Sequence, residues 1–356
     1  MRIVLQGGDN MLGRAVQLTL PYQTPGDADI RDSQTANDYL VGIVPTEDVG
    51  LIREWNKDGR YLWGDVPVDL GEDLRILNLE AAPTLSIDTD QDKGILYHVD
   101  LRNLPLVFSR FKRPMLVTLG NNHAMDMGRR ALVEETLPKL GNVIGVGRDG
   151  REAYRGRRVG SVEVWAFAAG CAGVPADWAA TQNRAGVAYL PPILSSESVE
   201  TAFKIIQKSM GPSDKFKVVT IHWGPNWASP GDGQEFRRRL AHRLIDELGV
   251  HLIHGHSSHH VRGIELYRGR LILYGAGDLV NDYEQIPHPG YDTAGAVFVV
   301  DLDDASFELR NLTVIPFEMK QLSCREITDP VRVEEWFDNV NGQSMRDCQY
   351  PLILHF

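Results

Sequence analysis

The chain has 356 residues, with 48 Asp and Glu against 37 Lys and Arg, giving a formal charge of −11. Hydrophobic residues make up 43% and charged residues 24%, which excludes a disordered or collagen-like chain and leaves enough apolar material for a core of normal size. The acidic balance argues against nucleic acid or a membrane surface as a general partner, because both are polyanionic.

The first residues, Met1-Arg-Ile-Val-Leu-Gln-Gly-Gly-Asp9, turn polar almost at once. A secretory apolar region needs about 7–15 residues and a spanning helix about 20, so a cytoplasmic chain with no membrane span is expected. Three cysteines, Cys171, Cys324 and Cys348, form no Cys-x-x-Cys pair and read as free thiols.

In chain order, a short β-branched run repeatedly ends in a polar cluster. Ile3–Leu5 leads to Asp9, Leu74–Leu77 to Glu80, and Met115–Leu119 to Asn122 and His123. Arg129–Leu140 has helical periodicity, with Gly141 as its cap. Lys217–Ile221 leads to His222. Glu235–Leu248 is again helical, with Gly249 following. Val250–Ile253 leads to His254, His256, His259 and His260, and Leu271–Tyr274 to Asp278. Ala296–Asp301 and Asn311–Pro316 read as strands with no helix between them, so part of the sheet is antiparallel. Strands alternating with helices predict an α/β fold. Ligands of such folds bind beyond the carboxyl ends of the strands, which is where these polar clusters fall.

Of the 11 histidines, His251, His254, His256, His259 and His260 crowd into ten residues. Singly, each polar residue has a plainer role: Asp9 as a helix cap, Glu80 as a loop acid, Asn122-His123 as a turn, His222 as a satisfied structural histidine. Together at successive strand ends they form an oxygen and nitrogen ligand set without cysteine. That set suits Mn, Fe or Zn, and it is large enough for two ions. His251 and His254 are expected to serve the strand that delivers them, and His256 and His259 to be ligands, with His260 as an alternative.

Several motifs resemble the CapA family of poly-γ-glutamate (capsule) biosynthesis proteins, relatives of the calcineurin-like metallophosphoesterases. They are Gly8-Asp9-x-x-x-Gly13-Arg14, Asn78-Leu-Glu80 with Pro83-Thr84, and Asn121-Asn122-His123-x-x-Asp126-x-Gly128. Further along stand His222-Trp-Gly-Pro-Asn-Trp227, Gly255-His-Ser-Ser-His-His260 and Tyr274-Gly-x-Gly-Asp278-x-x-Asn281-Asp282-Tyr283-Glu284. The resemblance implies a four-layer α/β/β/α sandwich with mixed sheets over residues 1–320, an insertion at about 21–71 lying over the site, and a C-terminal extension at 321–356 packed on the same domain.

It also implies roles. Asp9 would bind a first ion and Glu80 would bridge two; Asn122, His222 and His256 would serve the second ion, and His259 would return to the first. His123 would be general acid or stabiliser of negative charge, Arg14 an anion clamp, and Asp126 a further catalytic residue. Trp223, Asn226, Trp227 and Asp278 are expected to contact substrate, with core packing an equal alternative for the two tryptophans. Met11 stands where metallophosphoesterases carry a histidine ligand, so one ion rather than two is an open alternative. The expected function is a metal-dependent hydrolase of phosphoester or amide bonds, acting on a small molecule or an anionic polymer. Two alternatives stand beside it: a non-catalytic pocket protein for an anionic polymer or biosynthetic partner, and an acid–base enzyme that uses no metal.

Overall fold

The computed structural model describes residues 1–30, 35–89, 93–227, 232–284 and 294–344. Its main strands are β1 (Arg2–Asn10), β2 (Leu74–Leu79), β3 (Met115–Thr118), β4 (Val162–Ala169), β5 (Phe216–His222) and β6 (Leu252–His256). They continue with β7 (Arg270–Leu273), β8 (Asp278–Val280), β9 (Gly295–Leu302), β10 (Leu309–Lys320) and β11 (Ser323–Glu326). One sheet runs β11-β10-β9-β1-β2-β3 with β8 beside β1, and the other centres on β4-β5-β6-β7. The β1-β2-β3 and β4-β5-β6-β7 pairings are parallel, whereas β9, β10 and β11 pair antiparallel.

The period-2 alternation of each strand explains the layering. Ile3, Leu5, Leu74 and Ile76 face Val162, Val164, Phe216 and Val218 across an inter-sheet core. The intervening residues Val4, Leu77 and Leu79 face a helical layer on the first sheet. Trp165, Phe167, Val219 and Ile221 face the helices Ser196–Ser209 and Gln234–Leu248 on the second. This is the expected four-layer α/β/β/α sandwich with mixed sheets.

The segment at about 21–71 packs on the first sheet. Its helices Ala36–Ile43 and Val49–Trp55 bury Leu40 and Ile52 in the outer core of the first sheet, where Val44, Leu62 and Trp63 join them. It approaches the site through Tyr39, whose ring centroid lies 3.8 Å from the Arg14 guanidinium. The C-terminal extension adds β11 to the first sheet. Its helix Pro330–Ser344 sets Trp336 into the inter-sheet core, where Nε1 donates to the Ala294 carbonyl at 3.2 Å. Residues 345–356, including Cys348, lie outside the described residues; Cys171 and Cys324 are free. No helix among the described residues is long and apolar enough to cross a membrane.

Two local expectations need adjusting. Arg129–Leu140 is not a uniform helix: residues Leu132–Thr136 widen into a π-turn between Gly128–Ala131 and Leu137–Lys139. Pro138, which has no N–H to donate, accounts for the change of pattern. Gly141 stays outside the left-handed region, whereas Gly249 caps its helix there at φ 64°.

His251, just before β6, stacks on Phe216 with centroids 5.0 Å apart and meets Phe307 edge-on. Its Nδ1 accepts the Lys217 N–H at 3.0 Å. Burial, with the Arg270 and Lys217 cations nearby, pulls the imidazole down to about 4. The unfolded chain therefore takes up this proton first, so stability falls as pH drops from about 6.5 towards 4 and is unaffected by this group above that range. His251→Gln is expected to remove about 1–2 kcal/mol of that acid loss, less than a fully enclosed ring would give because its edge reaches water. The urea midpoint measured across pH 4–7 checks this; an identical slope in the variant contradicts it.

Candidate metal centre

The parallel strands deliver the polar cluster to one edge of the sandwich. β1 pairs antiparallel with β9 through Gln6, then slips register and pairs parallel with β8, so that Asp9 faces Asp278. Gly7 sits at the slip with φ 62°, and a Cβ there would come within 2.7 Å of Leu279 Cβ. Glycine is required at that position. On the other sheet, the β5–β6 register sets His222 opposite His256.

Two groups of donor atoms result: Asp9, His222 and His256, and Asp9, His259 and Asp278. Within each, all donor atoms lie within 4.8 Å of one another, every residue is buried, and Asp9 belongs to both. In the first, Asp9 Oδ1 stands 3.5 Å from His222 Nδ1 and 3.6 Å from His256 Nδ1, and the two Nδ1 atoms are 2.8 Å apart. Ligands about 2.1 Å from a tetrahedral ion sit about 3.4 Å from each other, so this triangle has the size of one coordination shell. In the second, His259 Nδ1 lies 2.7 Å from Asp278 Oδ2.

Glu80 Oε1 lies 3.8 Å from His222 Nε2 and 3.9 Å from His123 Nε2. Among the described residues, the buried side-chain atoms that make no hydrogen bond include four from the expected donor set: Glu80 Oε2, Asn122 Oδ1, His222 Nε2 and Asp278 Oδ1. Leaving four such polar atoms bare costs about 1–3 kcal/mol each. Three of the four are lone-pair acceptors and the fourth is an imidazole nitrogen, the donor types of a hard or borderline divalent cation. The residues therefore fit such an ion.

The electrostatics agree. Burial raises the Glu80 carboxyl well above the carboxylate range, and the nearby Asp9 and Asp278 push it further. Burial raises Asp278 to about 6 against the pull of His259. Burial would raise Asp9 too, but His222, His256 and His259 outweigh it and hold this carboxyl below the usual range. Burial takes His256 well below 6.5, and keeps it neutral with its lone pair available. These shifts describe an acidic pocket that a cation would relieve.

His123 sits beside the cluster. Its Nδ1 is 2.5 Å from Asp126 Oδ2, and its ring stacks on Tyr97 at 3.8 Å. Burial lowers it to about 4 despite Asp126, so the ring is neutral at neutral pH. Asp126 stays ionised, since His123 and Lys93 outweigh its burial, and accepts a hydrogen bond from the Nδ1–H. The Nε2 atom then carries a lone pair towards Glu80.

Arg14 is not poised as an open anion clamp. Its guanidinium pairs with Asp282 and is surrounded by the rings of Tyr39, Tyr97 and Tyr283. Trp223 is buried in the helix-side core, with Nε1 donating to the Tyr274 carbonyl. Trp227, by contrast, lies over His260 (5.9 Å, 8° between planes) and tilts against His259. Asn226 is exposed, and its carbonyl accepts the His259 N–H at 3.0 Å. Met11 turns into the core, where its sulfur accepts the Gly13 N–H. His251 and His254 serve their strand.

Sequence reasoning missed several contributors. Asn78 donates to Asp9 Oδ1 at 2.6 Å and is itself held by Asn121. Ser257, at the unusual φ of 97°, aims its N–H at Asp9 Oδ2 (2.9 Å), the kind of strain that persists where a site over-determines the backbone. Lys93 donates to Asp126 Oδ1 at 2.7 Å and to the Asn122 carbonyl. Asn78 and Ser257 lie inside quoted motifs, so a signal existed for them; Lys93 lies in a loop without one.

Comparisons with known proteins bear on the family of the chain. A family model described as "Bacterial capsule synthesis protein PGA_cap" matches residues 3–283. A "probable polyglutamine synthesis accessory protein" of Mycobacterium tuberculosis is 32% identical over 352 residues, covering 94% of this chain and 89% of that protein. The "PGA biosynthesis protein CapA" of Bacillus subtilis is 29% identical over 171 residues, covering 46% of this chain and 41% of its own. The solved structure of a phosphatase from Mycoplasma pneumoniae covers 96% of this chain and 99% of its own, with a TM-score of 0.45 and 10% identity. With a family match over most of the chain, and the family's motifs gathered at one sheet edge, the chain belongs to the bacterial capsule synthesis (PGA_cap) family.

Proposed function

We propose that this protein is a metal-dependent hydrolase that cleaves a phosphoester or amide bond, with an anionic polymer of the capsule type or a small precursor as substrate. The observation that carries the reading is the set of buried ligand atoms without hydrogen bonds around Asp9. Asp9, His222 and His256 would hold one ion of Mn, Fe or Zn, and Asp9 with His259 and Asp278 a second; Glu80 and Asn122 complete the donor set. Bound there, such ions supply an acidified water and a positive charge for the attacked group.

The chain's own residues do the rest. His123 accepts a proton at Nε2, and Asp126 fixes its tautomer through Nδ1. Lys93 keeps Asp126 charged. Trp227 offers a stacking face beside His259 and His260. The names of the relatives favour a γ-glutamyl polymer as the amide-containing substrate.

Direct binding of an anionic polymer without metal is disfavoured on charge. Asp9, which both donor groups share, keeps its negative charge at the centre of the pocket, so an anion entering without a cation meets that charge. Elemental analysis of the purified protein, with a screen of phosphomonoester, phosphodiester and γ-glutamyl amide substrates plus Mn, Zn or Fe, tests the proposal. Bound metal with metal-dependent turnover is expected. Turnover without metal would establish the acid–base alternative, and neither metal nor turnover the binding-protein alternative.

A further inference from the structure

The two strands that carry His222 and His256 also carry Thr220 and His254, directly opposite one another in the parallel register. Because strand side chains alternate, all four project from the same face. Thr220 Oγ1 lies 2.9 Å from His256 Nε2 and 3.3 Å from His254 Nδ1, and His254 Nε2 lies 2.8 Å from the Gly7 carbonyl oxygen across the sandwich. All three side chains are fully buried.

Donor and acceptor chemistry favours one direction for the protons of this chain. A backbone carbonyl can only accept, so His254 carries its hydrogen on Nε2. The nitrogens of His254 face that carbonyl and a hydroxyl, neither of them an acid, so the buried ring is neutral and its Nδ1 is an acceptor. The single hydroxyl hydrogen of Thr220 therefore goes to His254 Nδ1. Thr220 Oγ1 is then an acceptor towards His256, which must place its own hydrogen on Nε2. His256 Nδ1 is left as an acceptor, facing His222 Nδ1 (2.8 Å) and Asp9 Oδ1 (3.6 Å).

We propose that Gly7, His254 and Thr220 form a tautomer relay that fixes His256 in its Nε2–H form and so presents Nδ1 as the metal-binding atom. Thr220 and His254 are positioning residues that act through His256. The relay starts at the β1 register slip, where only glycine fits, so the bulge that places Asp9 also supplies the carbonyl that orients His256. One distortion of β1 thereby sets two ligands on different sheets. The inference rests on the metal-centre reading in what the relay is for, but the tautomer it dictates exists without metal.

Two measurements test it. In metal-free, 15N-labelled wild-type protein, two-bond 1H–15N imidazole correlations should show His256 and His254 both protonated on Nε2, with signals assigned by their loss in His256→Asn and His254→Asn. A His256 Nδ1–H pattern in the wild-type protein would overturn the relay. Thr220→Val keeps the shape but removes the hydroxyl; its affinity for Zn, measured against a competing chelator, should fall about 10–100-fold, as for loss of other partners that orient a histidine ligand. Thr220→Ser should restore affinity and tautomer together. A Thr220→Val protein that binds Zn as tightly as wild type would also overturn the relay. Should wild type take up no divalent metal at all, the metal-centre reading fails, and the tautomer pattern alone still decides the relay.

Discussion

Asp9→Asn is expected to lose at least about 100-fold in divalent-metal affinity at both donor groups, because Asp9 is the residue they share. The substitution keeps the shape of the side chain but replaces one acceptor oxygen by an amide. Both Asp9 oxygens already receive hydrogen bonds, from Asn78 and from the Ser257 N–H, so the new amide must turn one donor against another whichever way it points. It also removes the negative charge that makes the triangle with His222 and His256 attractive to a cation.

The metal-free fold feels the change less. Removing the Asp9 charge relieves Glu80 and Asp278, but it also forfeits the attraction of His222, His256 and His259 and leaves two donors facing each other. The metal-free variant should therefore unfold somewhat below metal-free wild type, while the rise produced by metal disappears. For wild type that rise corresponds to about 2.7 kcal/mol at a metal concentration 100 times Kd. Elemental analysis after dialysis against Zn, paired with thermal unfolding with and without metal, reads both arms. The family resemblance makes Glu80 the bridge instead, and the two assignments separate cleanly: Glu80→Gln should keep at least one ion and Asp9→Asn neither. An Asp9→Asn protein retaining two equivalents would return the bridging role to Glu80.

The sequence made the corners of this site legible because each sits where a β-branched run gives way to Gly, Asn or His, a change of pattern that marks a strand end. That logic found Asp9, Glu80, Asn122, His123, His222, His256 and His259 before any geometry. It failed where a strand carries no chemistry at its tip. β4, a central strand of the second sheet, ends in Ala168-Ala169 and drew no attention, although it pairs with β5 along its full length. It failed again where meaning depends on a distant partner. Arg14 reads as an anion clamp until Asp282, 268 residues away, occupies its guanidinium. Asp278 reads as a substrate contact until the register of β8 sets it opposite Asp9. Thr220 looks like any β-branched strand residue, and only the cross-sheet contact of His254 with Gly7 gives its hydroxyl a role. Local pattern thus reveals which residues are poised at the edge, and long-range pairing decides what each of them does.

His123→Gln is expected to reduce metal-dependent turnover by about 10²–10⁴-fold while leaving metal content unchanged. The separation follows from position. His123 Nε2 stands 3.9 Å from Glu80 Oε1, and His123 belongs to neither donor group, so its loss should not release an ion. Glutamine can still take a hydrogen bond near the Nε2 position, but it cannot exchange a proton at neutral pH. The surroundings of the ring set the sign of the pH dependence. Burial pulls the imidazole down to about 4 even though Asp126 pulls it up, and a base works only in its deprotonated form. Wild-type turnover should therefore fall towards acid as Nε2 is protonated, and that acid limb should be missing from the residual activity of His123→Gln. Asp126→Asn should act through His123: the amide can donate to Nδ1 and would favour the opposite tautomer, placing the proton on Nε2 where substrate needs an acceptor. It should lower kcat with little change in KM, and again leave metal content intact. Loss of metal in either variant would move His123 from proton transfer into the ligand set, whereas full turnover in His123→Gln would exclude it from the chemistry.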